Sequence, residues 1–133
     1  MSMVDSSVLV ALLAPEYDGE TYADIIQNSP SKITSPIVIF EVVSALCRIR
    51  KSGVAPMLMI VHEFLSRAGI RIEPIDADCH TTALMAFEQY GRLSRHPAQL
   101  NLGDCFSYAM AKRSDGDLIY KGKDFDHTDL ARR

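Results

Sequence analysis

Four short apolar segments, near residues 3, 33, 72 and 119, alternate with longer segments in which apolar residues recur at spacings of three and four. The short segments have the length of buried strands, and the longer ones have the periodicity of helices. Strands that alternate with helices pair in parallel, with the helices covering both faces of the sheet. The sequence therefore predicts an α/β fold built on a parallel sheet.

The chain has 133 residues, of which 47% are hydrophobic, and this size suits one compact domain spanning residues 1–133. Its apolar runs are too short or too interrupted to cross a bilayer, and the N-terminus lacks the basic flank and cleavage site of a signal peptide. We therefore expect a cytoplasmic protein with no membrane partner. A net charge of −3 does not exclude a nucleic-acid substrate, because metal ions held by carboxylates would reverse the local field.

The three cysteines, Cys47, Cys79 and Cys105, lie in helical patterns and form no CxxC pair. An odd number of thiols in such positions argues against a disulfide framework and against a zinc site. The sequence also contains no Walker glycine loop and no dinucleotide-binding fingerprint. The candidate functional groups are therefore carboxylates.

Asp104 lies between Gly103 and a helical segment that is apolar on most of its circumference, within the stretch Leu100–Lys112. Gly103 allows the backbone to turn sharply into that helix. One interpretation is that Asp104 only caps the helix, its side chain accepting a hydrogen bond from the free amides of the first turn. The other is that Asp104 is a functional acid, and three further acids favour it.

Asp5 follows the first strand, at the carboxyl end where ligand-binding groups of open parallel sheets collect. Ser6 or Ser7 can cap the next helix, so we expect Asp5 to be free for another role, although a capping role alone is the alternative. Asp124 has a similar position after the last strand, in the loop Lys121–Phe125. Its alternative is a solvated turn residue with two lysine neighbours.

Glu41 lies in the most apolar helical segment of the chain, Ile37–Lys51. The predicted inner stripe of that helix is Ile37, Phe40, Glu41, Ser44 and Ala45. A buried carboxylate is costly unless it is neutralised or meets a cation. A structural ion pair with Arg48 is one solution, and a bound metal ion is the other.

A parallel sheet can bring all four of these acids to one edge, namely Asp5, Glu41, Asp104 and Asp124. Several carboxylates cannot share a small site while ionised unless cations join them. Ligand sets made only of oxygen are typical of hard ions, here Mg²⁺ with Mn²⁺ as a substitute. Such an ion activates water and stabilises charge on phosphoryl oxygens, so the four acids indicate metal-dependent phosphoryl chemistry.

Four segments resemble the motifs of PIN-domain ribonucleases, and more narrowly those of VapC-type toxins from bacterial toxin-antitoxin pairs. They are MVDSSVLVALL, IFEVVSAL, HPAQLNLGDCFSYAMAK and LIYKGKDFDHTDL, spread over nearly the whole chain in the family's order and spacing. Each segment alone is a weak signal, but the four together are specific. The chain departs from the family at Lys121 and Lys123, where relatives often carry neutral or acidic residues.

The resemblance implies a single PIN-like domain with a parallel sheet of four or five strands between helices. It places the family's acids on Asp5, Glu41, Asp104 and Asp124, of which the first three would hold the principal ion and Asp124 would complete the shell or help a second ion. It further implies Mg²⁺-dependent cleavage of RNA, homodimers, and inhibition by a VapB-type antitoxin.

Two other functions remain open at this point. One is a non-catalytic PIN-like binding module that retains the acids. The other is a haloacid-dehalogenase-like phosphatase, which also uses an Asp after its first strand. That class has a second Asp two residues further on, where this chain has Ser7, and its larger fold leaves little room within 133 residues.

Overall fold

The computed structural model describes residues 1–14, 16 and 18–132, which form an α/β fold with one four-stranded parallel sheet. The strands are β1 (Ser2–Val4), β2 (Lys32–Thr34), β3 (Ile70–Ile72) and β4 (Asp117–Ile119). The helices are α1 (Ser6–Leu13), α2 (Gly19–Asn28), α3 (Pro36–Arg50), α4 (Val54–Ala68), α5 (Cys79–Tyr90) and α6 (Leu102–Arg113), followed by a short 3-10 helix (Phe125–His127). The prediction of a parallel sheet between helices is confirmed, with four strands.

The strands lie in the order β3-β2-β1-β4. The chain extends the sheet in one direction from β1 to β3, and β4 then returns to the free side of β1, where Ile119 pairs with Val4. The direction of winding therefore reverses between β1 and β4. Open α/β sheets bind their ligands at such a reversal, in the crevice outside the carboxyl ends of the strands.

Helices cover the sheet on both faces, since every residue of β1 and β2 is buried. Met3 and Ile33 of these strands are completely buried, together with Leu9, Leu46 and Met110 from three helices. The helix α6 packs directly on β1 and β4, and α3 contacts both α1 and α6. This packing brings α1, α3 and α6 together beside the two central strands.

The helix α3 turns a different face inward from the one predicted. Val38, Val42 and Leu46 are fully buried, whereas Phe40 is 76% exposed and Ser44 is also exposed. The predicted inner stripe is therefore wrong. The physical reason is that α3 carries apolar residues on every side, so its periodicity alone does not select the face that packs on the core.

None of the helices formed by the described residues combines the length and the apolar character needed to span a bilayer.

Candidate metal centre

The carboxylate of Asp5 is 3% exposed and is held by hydrogen bonds from two helices. Its Oδ2 accepts from the backbone N–H of Ser7 at 3.1 Å and from the Ser7 hydroxyl at 2.6 Å. Its Oδ1 accepts from the hydroxyl of Ser107 at 2.8 Å. Asp5 is thus itself the N-cap of α1, which corrects the expectation that Ser6 or Ser7 caps this helix.

A chain of hydrogen bonds links Asp5 to the segment that follows β4. The backbone N–H of Asp5 donates to the carbonyl oxygen of Ile119 at 3.0 Å. The backbone N–H of Lys121 donates to the Ser7 hydroxyl at 2.9 Å, and this hydroxyl in turn donates to Asp5. The acid that ends β1 is therefore fixed at the point where the sheet reverses its winding.

Glu41 extends from α3 towards the same place. Its Oε1 is buried and has no hydrogen-bond partner among the described residues. Its Oε2 lies against the backbone of α6, where a Cβ atom on Gly103 would be only 2.3 Å away. The ion pair with Arg48 that the sequence left open is not formed by the described residues. Glu41 is therefore a carboxylate that the fold leaves without a cation.

The pKa of Glu41 is raised from 4.5 to about 7. Burial is the main cause, and the negative charges of Asp5 and Asp104 raise it further. A hydrogen bond from the Ser6 hydroxyl acts in the opposite direction. Near neutral pH this side chain therefore holds a proton for much of the time unless a cation replaces it.

Asp104 lies in the first turn of α6 and forms a capping box with Asn101. Its Oδ2 accepts from the backbone N–H of Asn101 at 3.0 Å, and its own N–H donates to Asn101 Oδ1 at 2.9 Å. The expectation that Asp104 would be the cap after a turn at Gly103 is therefore wrong, since Asn101 caps α6 and Gly103 is already helical.

The pKa of Asp104 is raised from 3.8 to about 6, chiefly by burial. The hydrogen bond from Asn101 and the charge of Arg92 lower it, whereas the charges of Asp5 and Asp124 raise it. The charges that act on Glu41 and Asp104 therefore include those of Asp5 and Asp124, so the four predicted acids lie near one another.

Asp124 differs from the other three acids because it is exposed. It precedes the 3-10 helix and makes no capping hydrogen bond with its side chain. Lys121 does not neutralise it directly, because the Lys121 ammonium pairs with Glu16 at 2.8 Å and with Asp18 at 2.9 Å. Asp124 therefore stands at the solvent side of the acid cluster, near Asp104.

Ser107 is a site residue that the sequence reading missed. It is 1% exposed and its hydroxyl is the donor to Asp5 Oδ1. The available signal was its spacing, since it lies three residues after Asp104 and so on the same face of α6. The contact joins residues that are 102 positions apart, which no local pattern reveals.

The donor set of this cluster fits a hard divalent cation. The described part of the chain contains no group of three His, Cys, Asp or Glu side chains already arranged around a common point. Asp5 and Asp104 instead accept hydrogen bonds from the chain itself. The unpartnered Oε1 of Glu41 and the raised pKa values of Glu41 and Asp104 nevertheless describe carboxylate charge that a bound cation would compensate.

Comparison with known families identifies one match along almost the entire chain. The family model of the PIN domain matches residues 2–130. A VapC ribonuclease of Rhizobium meliloti is 43% identical, and the alignment covers 98% of this chain and 99% of the relative. Ribonuclease VapC42 of Mycobacterium tuberculosis is 36% identical, with 96% and 95% covered.

Solved structures agree with the fold. The crystal structure of Mycobacterium tuberculosis VapC20, described as a toxin that cleaves the sarcin-ricin loop, superimposes with a TM-score of 0.72 at 22% identity, over 100% of both chains. A toxin-antitoxin complex from Klebsiella pneumoniae gives a TM-score of 0.73 at 17% identity, over 100% of this chain and 97% of that one. At these identities the structures support the fold alone.

Proposed function

This chain belongs to the PIN domain family and, within it, to the VapC ribonucleases, and we propose that it is a metal-dependent endoribonuclease. The observation that carries the metal dependence is the buried, unpartnered Oε1 of Glu41 beside Asp5 and Asp104. A carboxylate in that environment is unfavourable in the folded protein, and a divalent cation would turn the same arrangement into a favourable one.

We assign Asp5, Glu41 and Asp104 as the residues that hold Mg²⁺, or Mn²⁺ in its place. Asp124 completes the shell or serves an ion that arrives with the RNA, since it is exposed near Asp104. When bound, the ion supplies a water of lowered pKa and stabilises charge on the phosphoryl oxygens.

The protein side chains prepare the site before the ion enters. Ser7 and Ser107 hold the two oxygens of Asp5 in fixed directions, so this carboxylate loses little conformational entropy when it binds the ion. Asn101 does the same for one oxygen of Asp104. Glu41 is not fixed in this way, and it would release its proton when a cation binds.

We further propose that a VapB-type antitoxin inhibits this enzyme by placing an Arg or Lys against Asp5, Glu41 or Asp104. A guanidinium can bridge carboxylates and so occupy the place of the metal ion. The acid cluster and the membership in the VapC ribonucleases support this mode. Crosslinking with a cognate VapB-type antitoxin is the test, and a contact surface far from these three acids would reject the mode.

We also propose that the protein is a homodimer, formed through the part of the apolar surface of α3 and α4 between Ile37 and Leu65 that carries Ile49, Val54 and Met59. Ile49, Val54 and Met59 expose 51%, 63% and 70% of their surface there. Large exposed apolar side chains on two helices that pack together favour a contact with a second copy.

The phosphatase alternative has no support, because the PIN domain match covers residues 2–130. The non-catalytic alternative is separated by experiment. The purified protein, free of antitoxin, is incubated with single-stranded RNA in Mg²⁺, in Mn²⁺ and in EDTA. We expect internal cleavage only with metal. If Mn²⁺ binding by calorimetry and cleavage are both absent, the acids are a relic and the proposal fails.

A further inference from the structure

A pocket of about 510 Å³ opens directly beside the metal centre. Its lining includes Ser6 of α1 and, from α3, Phe40, Glu41, Ser44 and Arg48. A pocket of this volume is large enough for a small organic ligand such as a nucleotide. Because Glu41 forms part of the wall, a ligand in this pocket would be continuous with one at the metal centre.

Arg48 provides the pocket with a cation that the protein does not compensate. It lies seven residues after Glu41, two turns along the same face of α3 and about 10 Å away along the helix axis. Within the part of the chain that the structure describes, Arg48 forms no ion pair, whereas Lys121 on the neighbouring wall is held by Glu16 and Asp18. The guanidinium of Arg48 is therefore available to an anion.

Phe40 provides an aromatic surface at the mouth of the same pocket. It directly precedes Glu41 and is 76% exposed, although the neighbouring Val38 and Val42 are fully buried. An exposed Phe contributes little to folding, because most of its apolar area remains in water. An exposed aromatic ring in the pocket lining, next to Glu41 in the chain, is suited to contact with a flat ligand.

We propose that this pocket is a nucleotide subsite for single-stranded RNA. The base of a nucleotide near the scissile phosphate stacks on Phe40, and a backbone phosphate on the same side of the cut binds Arg48. Stacking on an aromatic ring together with an arginine contact is how proteins bind unpaired nucleic acid, and only an unpaired base exposes the face that must stack. The inference rests on the proposed ribonuclease function.

The lining of the pocket favours RNA over a segment of the antitoxin. An antitoxin arginine directed at the acid cluster through this pocket would meet the like charge of Arg48. The negative phosphates of an RNA chain would instead be attracted both by Arg48 and by the metal ion at Glu41. The hydroxyl of Ser44 between them is a neutral partner for ribose or phosphate.

The test uses Arg48→Gln and Phe40→Ala, with Phe40→Tyr as the conservative variant. The controls are Arg67→Gln, another exposed arginine, on α4, and Met85→Ala on α5, which removes a large apolar side chain of similar exposure to Phe40. Cleavage of a single-stranded RNA oligonucleotide is measured in Mg²⁺ at several salt concentrations, beside cleavage of a dinucleotide, which lacks the second backbone phosphate that would bind Arg48. Calorimetry with Mn²⁺ and the thermal midpoint are recorded for each variant.

We expect Arg48→Gln and Phe40→Ala each to raise KM for the oligonucleotide about tenfold with little change in kcat. Arg48→Gln should also reduce, by about one, the slope of the logarithm of KM against the logarithm of salt concentration. Phe40→Tyr should retain the parent KM. Arg48→Gln should leave the KM for the dinucleotide unchanged, and Mn²⁺ affinity and both control variants should match the parent.

An oligonucleotide KM within twofold of the parent in both variants would overturn the subsite, while cleavage by the parent would leave the ribonuclease function intact. Weaker inhibition by the antitoxin with unchanged RNA kinetics would assign the pocket to that protein and also overturn the proposal. If the parent cleaves no RNA with metal, the proposed function fails first, and the subsite fails with it.

Discussion

The carboxylate of Glu41 lies against the backbone of Gly103, so closely that a Cβ atom at residue 103 would be 2.3 Å from Oε2 and 2.7 Å from Oε1. Glycine is required here by the neighbouring helix, since residue 103 has ordinary helical backbone geometry within α6. The missing side chain leaves the space in which Glu41 reaches the acid cluster.

Replacing Gly103 by Ala should displace the Glu41 carboxylate, because that carboxylate is the flexible partner in the contact. We expect Mn²⁺ affinity to fall about tenfold or more, as when a supporting contact of a metal site is lost. The thermal midpoint should remain near the parent value, since Ala is favoured over Gly inside a helix by up to about 1 kcal/mol. Gly53→Ala is the control, because a methyl group there meets no neighbouring atom. Unchanged Mn²⁺ affinity in Gly103→Ala would contradict the packing role.

Glu41 should make the metal-free protein less stable as the pH rises. Its pKa is raised from 4.5 to about 7 by folding, so the folded state binds more protons in that window than the unfolded state. The free energy of unfolding therefore falls as the pH increases through the window and levels off above it. Glu41→Gln should flatten this slope and raise the thermal midpoint in EDTA at alkaline pH, whereas Glu88→Gln on the exposed side of α5 should do neither. Equal slopes in parent and Glu41→Gln would reject the assignment.

Ser107→Ala removes the donor to Asp5 Oδ1 and leaves a buried carboxylate oxygen without a partner. We expect a loss of about 1–2 kcal/mol in the free energy of unfolding. Mn²⁺ affinity should also fall, because Asp5 would no longer be fixed towards the ion. Ser114→Ala, a buried serine directly after the same helix, is the control. Reduced stability with parent-like Mn²⁺ affinity would show that Ser107 only joins α6 to β1.

Asp104→Asn should separate chemistry from folding. The amide oxygen can still accept from the Asn101 N–H, so the capping box and the circular dichroism spectrum should survive. Cleavage in Mg²⁺ or Mn²⁺ should fall by more than about 100-fold, since the charge that holds the ion is lost. RNA binding in EDTA should equal or exceed that of the parent, because one negative charge fewer repels the backbone. Parent-like cleavage would reduce Asp104 to a capping residue.

Light scattering after size exclusion should give about twice 14.8 kDa at micromolar protein concentration. Met59→Glu on α4 should shift the protein towards monomer, because it places a charge in the proposed apolar contact. Met85→Glu on α5 has similar exposure and should leave the dimer intact. A monomeric parent, or a dimer disrupted by Met85→Glu alone, would contradict the proposed interface.

The order of the elements and the parallel sheet were predictable from the sequence, because they depend on local periodicity. The strands near residues 3, 33, 72 and 119 all form, and Pro36 occupies the first position of α3 after the capping residue Ser35. These features are set by contacts between near neighbours in the chain. The four motifs also identified the family, which the match over residues 2–130 supports.

The details of the site were less predictable, because they depend on contacts between distant segments. The buried face of α3 is selected by the core and not by its own pattern, which placed Phe40 on the wrong side. The sequence predicts a turn at Gly103, but a glycine is needed there because the Glu41 carboxylate of another helix occupies the space of a side chain. Asn101 and Asp104 are both residue types that cap helices, and their positions in the sequence alone do not decide which of them caps α6.

The hydrogen bond between the N–H of Asp5 and the carbonyl of Ile119 joins the first strand of the sheet to the last one. During synthesis, Asp5 leaves the ribosome early, but its neighbours at Ile119 and Lys121 are added only near the end. A growing chain therefore carries its first acid for most of translation without the strand that completes the crevice. We expect the nuclease to become active only once nearly all of the polypeptide has emerged.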